Sequence, residues 1–471
     1  MSDGSRTNVV ILAAGEGTRM KSDTSKVLFP LCGRPMIDYV LNAALELEPD
    51  KIVIVLGHKG QEILDHVTRT WVEGRKDTCP IEFSWQTQQL GTGDAVRCAL
   101  DLISSLCENV MILCGDTPLI TGRLLQEFAR MHLASGSDLS IVTTILEDPG
   151  SYGRIVRDEE GKVSKIVEAS DISDKEEGVK EINSGIYLGK RSILSEFLPR
   201  LSNKNAKQEF YLTDIVEMAA NGGFKVLPFV WQDSTAVHGV NNRYDLAYAE
   251  SKLRQRILER LCVLGVTVRD PQNTYVDYGV EVGKDTIIEP NTFLVGDTKI
   301  GQKCIVGPSS YIIDSNISDG SRVWMSVVED SEIGQNAEIG PYSHLRPKCV
   351  VESNVVIGNF AEVKNCVIKQ GSKVHHHSYL GDCFVGSHVN IGAGTVTVNY
   401  DGVKKHQTII DDGAFVGCNA NIIAPLRIGK DAFVAAGSTI TSDVPDGSLG
   451  IARQRQTNKD GWVSKRRKQE K

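Results

Sequence analysis

The chain has 471 residues, of which 41% are hydrophobic and 24% are charged, a composition typical of a folded globular protein rather than a disordered one. This length predicts two to four domains. The net charge of −8 and the isoelectric point of about 5.8 argue against general nucleic-acid binding, which requires a basic surface. No apolar stretch approaches the ~20 residues that a membrane-spanning helix needs, so no membrane span is expected.

The eleven cysteines are scattered along the chain and include no Cys-x-x-Cys pair. This pattern favours reduced thiols over a disulfide framework or a zinc cage. The first residues lack the basic and apolar segments of a signal peptide. Together these features predict a cytoplasmic protein.

The first ~240 residues alternate short apolar runs with amphipathic segments. Runs such as 8–14 and 109–114 are typical of buried strands, and segments such as 36–47 are typical of helices. Strands that alternate with helices predict a mostly parallel sheet covered by helices on both faces. We therefore predict an α/β Rossmann-like domain over residues 1–242.

The second half of the chain has a different period. Apolar residues recur every six positions from Val282 to Ile312, often followed by glycine, as in Ile300-Gly301. Three such hexads form one triangular coil of a parallel β-helix, in which the apolar residues point inward and stack on neighbouring coils. Glycine is expected at the tight corners, where φ is positive. We predict a left-handed parallel β-helix, built from hexapeptide repeats, over residues 263–471.

Two further segments differ from these repeating patterns. Residues 243–262 have mixed charge and helical spacing of their apolar residues, which predicts a helix that links the two halves. A coiled-coil or partner-binding role is the alternative, although the segment is too short to favour it. The basic run 465–468 is interpreted as a solvated tail.

The first predicted strand leads into a glycine-containing turn, Gly15-Glu16-Gly17. A strand, a glycine turn and a helix place backbone N–H groups around an anion. Arg19 and Lys26 add positive charge suited to a triphosphate. The turn lacks the third glycine of a dinucleotide-binding fingerprint and the spacing of a P-loop, so the sequence predicts a phosphate site of another kind.

The pattern LAAGEGTRM, followed by KVLFP, resembles the nucleoside-triphosphate:sugar-1-phosphate nucleotidyltransferases. Further matching segments follow in order along the chain: QTQQLGTG, CGDTP, YGR, VE, INSG, EFYLTD and GVNN. In that family, an oxygen of the sugar phosphate attacks the α-phosphorus of the nucleotide and pyrophosphate leaves. Such a step depends mainly on positioning and on charge neutralisation.

This resemblance implies roles for individual residues. Asp116 and Asn241 are expected to hold Mg²⁺, which prefers oxygen ligands. Arg19 and Lys26 are expected to act as catalytic groups that stabilise the phosphates, and Gln86 is expected both to donate to and to accept from the edge of uracil. The full set expected to contact UTP or the UDP-sugar is Leu12, Ala13, Ala14, Gly15, Lys26, Gln86, Gly91, Thr92, Gly153, Glu168, Asn183 and Asn241, with Glu168 and Asn183 on the sugar hydroxyls and the N-acetyl group.

The six-residue rhythm of the second half is interrupted between residues 373 and 405. This stretch contains His375, His376 and His377. Consecutive strand residues point to opposite faces, so the three histidines are not expected to bind one metal ion together. A single histidine acting as a general base is favoured instead. The loop 398–405 projects from the solenoid, where binding groups usually lie.

Nearly the whole chain resembles the bacterial bifunctional N-acetylglucosamine-1-phosphate uridylyltransferase/glucosamine-1-phosphate acetyltransferases. The match includes the two halves, the linking helix, the motifs GSKVHHHSYLGD, NIGAGT and NYDG, and a final GW with a basic tail. It implies that His376 takes the proton as the amine of glucosamine-1-phosphate attacks the thioester of acetyl-CoA, in a homotrimer with this site between subunits. The residues expected to bind glucosamine-1-phosphate are Arg346, Lys364, Tyr379, Asn390 and Lys405, and those expected to bind acetyl-CoA are Ala393, Asn399, Tyr400, Cys418, Ala436 and Arg453.

The chain departs from the family pattern at several positions. Glu16 stands where lysine is frequent, which removes one phosphate contact but leaves Arg19 and Lys26. His375 is interpreted as a bulky residue at a corner of the solenoid, a change expected to affect acetyl transfer more than uridylyl transfer. The other departures are Ser25 for proline, Cys114 for an aromatic residue, His377 beside the expected base and Cys418 for serine.

We therefore predict that the second half acetylates glucosamine-1-phosphate, and that the first half converts the product and UTP, with Mg²⁺, into UDP-N-acetylglucosamine. Two alternatives stay open. One is a single-activity sugar-1-phosphate nucleotidyltransferase whose β-helix is structural or regulatory. The other is a non-catalytic subunit that senses nucleotide sugars, against which the presence of Arg19, Lys26, Asp116 and Asn241 counts.

Overall fold

A computed structural model of the chain describes residues 7–74 and 79–469. The chain divides into two compact units, Met1–Leu253 and Arg254–Lys471. The helix Arg243–Val263 contains the dividing point and covers the segment interpreted as a linker. The domain boundaries at 242 and 263 stay predictions. The prediction that no signal peptide is present concerns the first residues, of which 1–6 lie outside the described ranges.

The basic run lies in a helix, Trp462–Gln469, whose side chains are exposed as far as Arg467; the side chain of Lys468 lies outside the described part. In the described ranges, no helix combines the length and apolar character that crossing a membrane requires.

The elements of the first unit alternate between strands and helices along the chain. In its described part the strands are β1 (Thr7–Ala13), β2 (Pro30–Leu31), β3 (Arg34–Pro35), β4 (Lys51–Leu56), β5 (Ile81–Trp85), β6 (Asn109–Cys114), β7 (Leu139–Ile145), β8 (Arg154–Arg157), β9 (Val163–Val167), β10 (Glu181–Lys190) and β11 (Val226–Val230). The α-helices are α1 (Met36–Leu45), α2 (Gly60–Val67), α3 (Thr92–Leu100), α4 (Gly122–Ser135), α5 (Arg191–Phe197), α6 (Asp214–Asn221) and α7 (Arg243–Val263). Short 3₁₀ turns lie at Thr18–Met20, Lys26–Leu28, Ala169–Asp171, Leu198–Arg200 and Ser234–Val237, and a π-helical turn, Thr68–Val72, follows α2.

The main sheet of the first unit has the strand order β11-β7-β10-β6-β1-β4-β5, with β8 and β9 beside β10. β1 pairs in parallel with β4 and β6, and β4 pairs in parallel with β5. β10 runs antiparallel to β6 and β7. The carboxyl ends of β1, β5 and β6 therefore meet at one edge of the sheet, which is where ligands bind in folds of this kind.

Hydrophobic side chains cover both faces of this sheet. Along β1, Val9 and Ile11 belong to one cluster and Val10 to the other, as the alternation of a strand requires. Helices α1, α2 and α4 contribute to the first cluster, and α3, α5 and α6 to the second. Helices on both faces of a mostly parallel sheet confirm the predicted α/β architecture.

The second unit is a solenoid with three parallel sheets, which we call the first, second and third faces. The first face consists of Thr267–Val268, Ile287–Ile288, Ile305–Val306, Arg322–Val323, Glu338–Ile339, Val356–Asn359, Lys373–His376, Asn390–Ile391, Phe415–Val416, Phe433–Val434 and Leu449–Gly450. The second face consists of Thr274–Val276, Thr292–Val295, Tyr311–Ile313, Val327–Glu329, His344–Leu345, Glu362–Lys364, Tyr379–Gly381, Val396–Val398, Asn421–Ile423 and Thr439–Ile440. The third face consists of Glu281–Val282, Lys299–Ile300, Asn316–Ile317, Glu332–Ile333, Val350–Val351, Val367–Ile368, Cys383–Val385, Thr408–Ile410 and Leu426–Ile428, and a 3₁₀ turn lies at Pro271–Asn273.

Equivalent residues of successive coils pair in register on each face. On the first face, Ile288 pairs with Val306 and Val306 pairs with Val323, and all three side chains are fully buried. Each short strand thus contributes one inward apolar side chain to a continuous core, which explains the six-residue period. These stacked parallel sheets confirm the predicted β-helix.

The glycines of the repeat lie only in part where the sequence analysis expects them: Gly340 has a φ of 115°, whereas Gly283 and Gly334 do not have positive φ. Positive φ at the corner between the first and second faces belongs mostly to other residues, including Tyr342, Phe360 and His377. Gly283 and Gly334 follow the inward residue instead, and a Cβ on either would lie 2.6 Å from a backbone carbon of the next coil. Glycine is required there because successive coils approach closely, so the expectation of corner glycines is wrong for these two positions.

Replacing Ile339 with alanine is expected to lower the free energy of unfolding of the solenoid by about 2–5 kcal/mol, because it removes buried methyl groups and leaves a cavity between coils. Ile339 is fully buried, whereas its strand neighbour Glu338 is exposed. Glu338→Ala is therefore the matched control, with an expected change within about 0.5 kcal/mol. Urea unfolding followed by circular dichroism measures both. Equal losses from the two substitutions would contradict the alternation of inward and outward side chains.

Candidate active sites

A cleft of about 560 Å³ opens at the carboxyl ends of β1, β5 and β6. Its lining comes from segments that are widely separated in the sequence. The predicted site residues that line it are Leu12, Ala14, Gly15, Arg19, Lys26, Gln86, Gly91, Thr92, Asp116 and Asn241. It is also lined by Glu16, Gly17, Thr18, Gln89, Ala95, Cys114 and Glu209. Ala13 does not line the cleft, because its side chain is buried in the core beneath β1.

Sequence reasoning assigned no contact to Gln89 or Glu209, although both lie in segments that matched the family pattern. A motif match identifies a segment, whereas the side chains that reach a cleft depend on the path of the backbone. Gln89 Nε2 donates to Ala14 O over 3.1 Å, which ties its segment to the turn after β1.

The part of the cleft next to β1 carries charges suited to phosphates. The Lys26 ammonium forms an ion pair with Asp116, and Arg19 Nη2 donates to Asn241 Oδ1 over 3.0 Å. The turn that precedes these cations is tight: Gly17 has a φ of 63°, and a Cβ there would lie 2.9 Å from Lys26 Cβ. The two cations and the two predicted magnesium ligands therefore lie together.

Asp116 and Asn241 fit a magnesium ion that takes most of its ligands from water and substrate rather than from the protein. Each offers a side-chain oxygen to the cleft, and each oxygen is held by a cation, Lys26 or Arg19. Among the described residues, no group of three or more histidine, cysteine or acidic side chains could hold a metal ion. Since Mg²⁺ keeps waters and substrate phosphate oxygens as ligands, two protein oxygens suit it.

Gln86 follows β5 and is buried, with 5% of its surface exposed. Its Nε2 donates to Gly91 O and to Asp94 Oδ2, each over 2.9 Å. Both amide hydrogens are thus used within the protein, and only Oε1 is left for a ligand. The expectation that Gln86 also donates to the base is therefore wrong.

The residues predicted to hold the sugar do not line the cleft, but they lie close to it. Asn183 N donates to Gly153 O over 2.9 Å. Glu168 accepts from Thr213 Oγ1 over 3.0 Å, and burial raises the pKa of this carboxyl. Burial also raises the pKa of the Cys114 thiol, which lines the cleft, to about 12, and the charges of Asp116 and, to a smaller extent, Glu168 contribute. Contact of Gly153, Glu168 and Asn183 with a sugar stays a prediction.

Three cationic side chains predicted to bind glucosamine-1-phosphate converge on the solenoid. Two neighbouring cations lower the pKa of Lys364. The Lys405 ammonium has the larger effect, and the Arg346 guanidinium has a smaller one. Arg346 Nη1 pairs with Glu362 Oε1 over 3.1 Å, and Tyr379 follows Glu362 one coil later on the second face. Cations held close to one another in spite of their repulsion suit a phosphate dianion.

His376 belongs to a column of residues at the edge of the first face, which we call the corner column. Asn359 pairs directly with His376. The register of the following coils continues the column through Ala393, Cys418 and Ala436. Four residues predicted for acetyl transfer are therefore stacked one coil apart, and Cys418 is an exposed free thiol.

The side chain of His376 is exposed, and its Nδ1 lies 2.8 Å from Asn359 Oδ1. Because an amide oxygen only accepts, Nδ1 carries the proton and Nε2 keeps its lone pair, as a general base requires. Sequence reasoning missed Asn359. The coil that separates it from His376 has 17 residues rather than the 18 of three hexads, so the hexapeptide period alone does not identify the pair.

His375 lies within the strand Lys373–His376, and its pKa is lowered by burial. The corner residue is His377, with a φ of 43°. The interpretation of His375 as a corner residue is therefore wrong by two positions. Asn390 begins the first-face strand of the next coil, and Arg453 is exposed beyond the last strand of that face.

The predicted projecting loop stands between the second and third faces. Asn399 Nδ2 donates to Asp382 Oδ2 over 2.5 Å at its start. Tyr400 and Lys405 form a β-bridge across its base. Asp401 accepts hydrogen bonds from the loop backbone and from a histidine, which lower its pKa to about 2. The loop is therefore a fixed turn that places Lys405 beside the other cations.

Family models match three parts of the chain. The model described as nucleotidyl transferase matches residues 8–236. The model described as GMPPB C-terminal domain matches residues 327–404. The model described as hexapeptide repeat of succinyl-transferase matches residues 407–442. The matches agree with the two architectures seen in the two units.

Curated relatives match the chain over nearly its whole length. A protein of Caldanaerobacter subterraneus subsp. tengcongensis named "Bifunctional protein GlmU" is 48% identical over 457 residues, which is 97% of this chain and 97% of the relative. Proteins of the same name from a Geobacillus species and from Geotalea uraniireducens are each 45% identical, over 97% of this chain and 97% and 99% of the relatives.

Replacing Asn359 with alanine is expected to shift His376 from the tautomer with a protonated Nδ1 towards the one with a protonated Nε2, because the acceptor for Nδ1–H is lost. The ¹⁵N shifts of the imidazole nitrogens, read from the chain labelled in histidine, measure the change. Asn316→Ala, at an exposed position on the third face, is the control. An unchanged tautomer in Asn359→Ala would show that Asn359 does not orient the ring.

Proposed function

This chain belongs to the family of bifunctional GlmU proteins, and from that premise we propose which residues carry each of its two reactions. The enzyme acetylates glucosamine-1-phosphate with acetyl-CoA, and with Mg²⁺ it transfers a uridylyl group from UTP to N-acetylglucosamine-1-phosphate, releasing pyrophosphate. The observation that carries the assignment of residues is the grouping of opposite charges in the cleft of the first unit and of three cations on the solenoid.

The cleft of the first unit is proposed as the uridylyl site. Arg19 and Lys26 neutralise the phosphates of UTP while an oxygen of the sugar phosphate attacks the α-phosphorus. Asp116 and Asn241 would hold Mg²⁺, which supplies further positive charge against the phosphates when bound. The side chain of Gln86 contacts the uracil base through its Oε1. These groups position and neutralise, which is the main requirement of phosphoryl-group transfer.

The base segment is held in place from a distant part of the chain. Phe210 N donates to Leu90 O over 2.7 Å, and Gly93 N donates to Phe210 O over 2.8 Å. Gly91, between them, has a φ of 107°, and a Cβ there would lie 2.7 Å from Phe210 O. The proposed contacts of Gly91 and Thr92 with UTP therefore depend on a backbone conformation that only glycine can adopt at position 91.

The corner column is proposed as the acetyl-transfer site. His376 Nε2 takes a proton from the amine of glucosamine-1-phosphate as the amine nitrogen attacks the thioester carbon, and CoA leaves as the thiol. Arg346, Lys364 and Lys405 bind the phosphate. Glucosamine-1-phosphate is also assigned Tyr379 and Asn390, and acetyl-CoA is assigned Ala393, Asn399, Tyr400, Cys418, Ala436 and Arg453.

We also propose that residues 1–242 and 263–471 are the catalytic domains and that the chain acts in the cytoplasm as a homotrimer. An apolar strip on the first face supports contact with further copies. Phe415 and Phe433 stack with ring centroids 5.2 Å apart, and Leu449 follows in register, with 40%, 51% and 60% of their surfaces exposed. Contiguous exposed apolar side chains favour burial against another chain.

Sedimentation equilibrium of the chain is expected to give particles of three chains. Phe433→Asp is expected to weaken the association at least about tenfold, because it places a charge within the apolar strip. Thr439→Asp, on an exposed position of the second face, is the matched control. A monomeric chain at micromolar concentration would contradict the homotrimer.

Two substitutions separate the proposed sites. Asp116→Ala is expected to lower pyrophosphate release about 10²-fold or more, because an oxygen ligand and the partner of Lys26 are both lost. His376→Ala is expected to lower the release of the CoA thiol by about 10²- to 10⁴-fold, since the base is lost. Each variant should keep the other activity. Loss of both activities in a folded variant would contradict two independent sites.

A further inference from the structure

The orientation of the Gln86 amide is decided by its partners. Gly91 O is a carbonyl oxygen and Asp94 Oδ2 is a carboxylate oxygen, and both can only accept hydrogen bonds. The side-chain atom that lies 2.9 Å from both must therefore be the nitrogen. With its two hydrogens used, Gln86 turns an acceptor, and no donor, towards a ligand in the cleft.

Asp94 is itself fixed from several sides. It is buried, with 5% of its surface exposed, and it lies in the first turn of α3, where the helix dipole favours a negative charge. Its second oxygen, Oδ1, forms an ion pair with Arg97, whose guanidinium lies 5.6 Å from the ring centroid of Phe210. One carboxylate thus joins the Gln86 amide to a cation on the surface of α3. The sequence analysis did not single out this residue.

An acceptor at this position distinguishes uracil from cytosine. Uracil, linked to ribose through N1, has one ring donor, the N3–H group, whereas cytosine has a bare nitrogen with a lone pair at N3. The Gln86 Oε1 can pair with uracil only at N3–H, and the same oxygen would face the N3 lone pair of cytosine. A site built to hydrogen-bond one substrate group rejects an analogue that lacks it.

We propose that Asp94 determines the base specificity of the uridylyl site by holding Gln86 in its accepting orientation. Asp94 is a positioning residue, because it acts on the base through Gln86. Without its carboxylate, only the carbonyl of Gly91 favours this orientation, so the amide turns more readily and offers its NH₂ group, which suits the N3 of cytosine. The inference rests on the proposed function of the cleft, and it assigns the selectivity between UTP and CTP to a residue on α3.

The test compares Asp94→Asn with the wild-type chain on three nucleotides: UTP, CTP and the triphosphate of the 2-pyrimidinone riboside. The last has a bare N3, like cytosine, but neither the 4-oxo group of uracil nor the 4-amino group of cytosine. Pyrophosphate release with N-acetylglucosamine-1-phosphate gives kcat/KM for each. Asp101→Asn, at the other end of α3, is the matched control.

The wild-type enzyme is expected to prefer UTP to both other nucleotides by about 10²-fold or more. In Asp94→Asn the ratio of kcat/KM for UTP to that for CTP is expected to fall at least about tenfold, with Asp101→Asn unchanged. A ratio of two nucleotides reports the orientation of Gln86, since a loss of structure alone would lower both values together. CoA thiol release, which belongs to the other unit, reports that the chain is folded.

Two outcomes would overturn the inference while the function stands. One is an unchanged UTP:CTP ratio in an active Asp94→Asn enzyme. The other concerns the wild-type enzyme alone: if it used the 2-pyrimidinone nucleotide as readily as UTP, the base would be recognised at a position other than N3. Failure of the wild-type enzyme to release pyrophosphate from UTP would instead overturn the proposed function of the cleft.

Discussion

Backbone hydrogen bonds between parallel strands bring together, in both units, residues that lie far apart in the sequence. In the first unit, parallel pairing sends the carboxyl ends of β1, β5 and β6 to one edge, so that Arg19, Gln86 and Asp116 share a cleft. In the second unit, pairing in register stacks residues one coil apart, so that Asn359 and His376 become neighbours. One physical constraint therefore builds two chemically different sites.

The two sites hold positive charge in different ways. In the cleft, Lys26 and Arg19 already bond to Asp116 and Asn241, and the Lys26 and Asp116 side chains are only 15% and 22% exposed. Charges in such a place need partners because burial removes much of their hydration. On the solenoid, Lys405 is exposed and Arg346 and Lys364 are partly exposed, so water can solvate them while they stand close together.

Both sites also use an oxygen that can only accept hydrogen bonds to fix a side chain with two orientations. Asp94 and the carbonyl of Gly91 set the Gln86 amide, and Asn359 sets the His376 ring. An amide or imidazole left alone turns readily, because its two orientations differ little in shape. The neighbouring oxygen converts this ambiguity into one defined pattern of donors and acceptors, which is what recognition of a base or removal of a proton requires.

The sequence by itself determined the two architectures and singled out most of the predicted first-site residues that line the cleft. Buried apolar runs between amphipathic segments predicted the sheet and its helices, and the six-residue period predicted the solenoid, because both patterns follow directly from the repeat of strands, helices and coils. The motifs singled out Lys26 and Asp116, which line the cleft, and His376, which lies exposed at the edge of the first face. The tertiary structure decided that Gly283 and Gly334 are required by the close approach of the next coil rather than by a corner, and that Gln86 only accepts. Those properties depend on the distance and direction of groups from other parts of the chain, which local sequence does not specify.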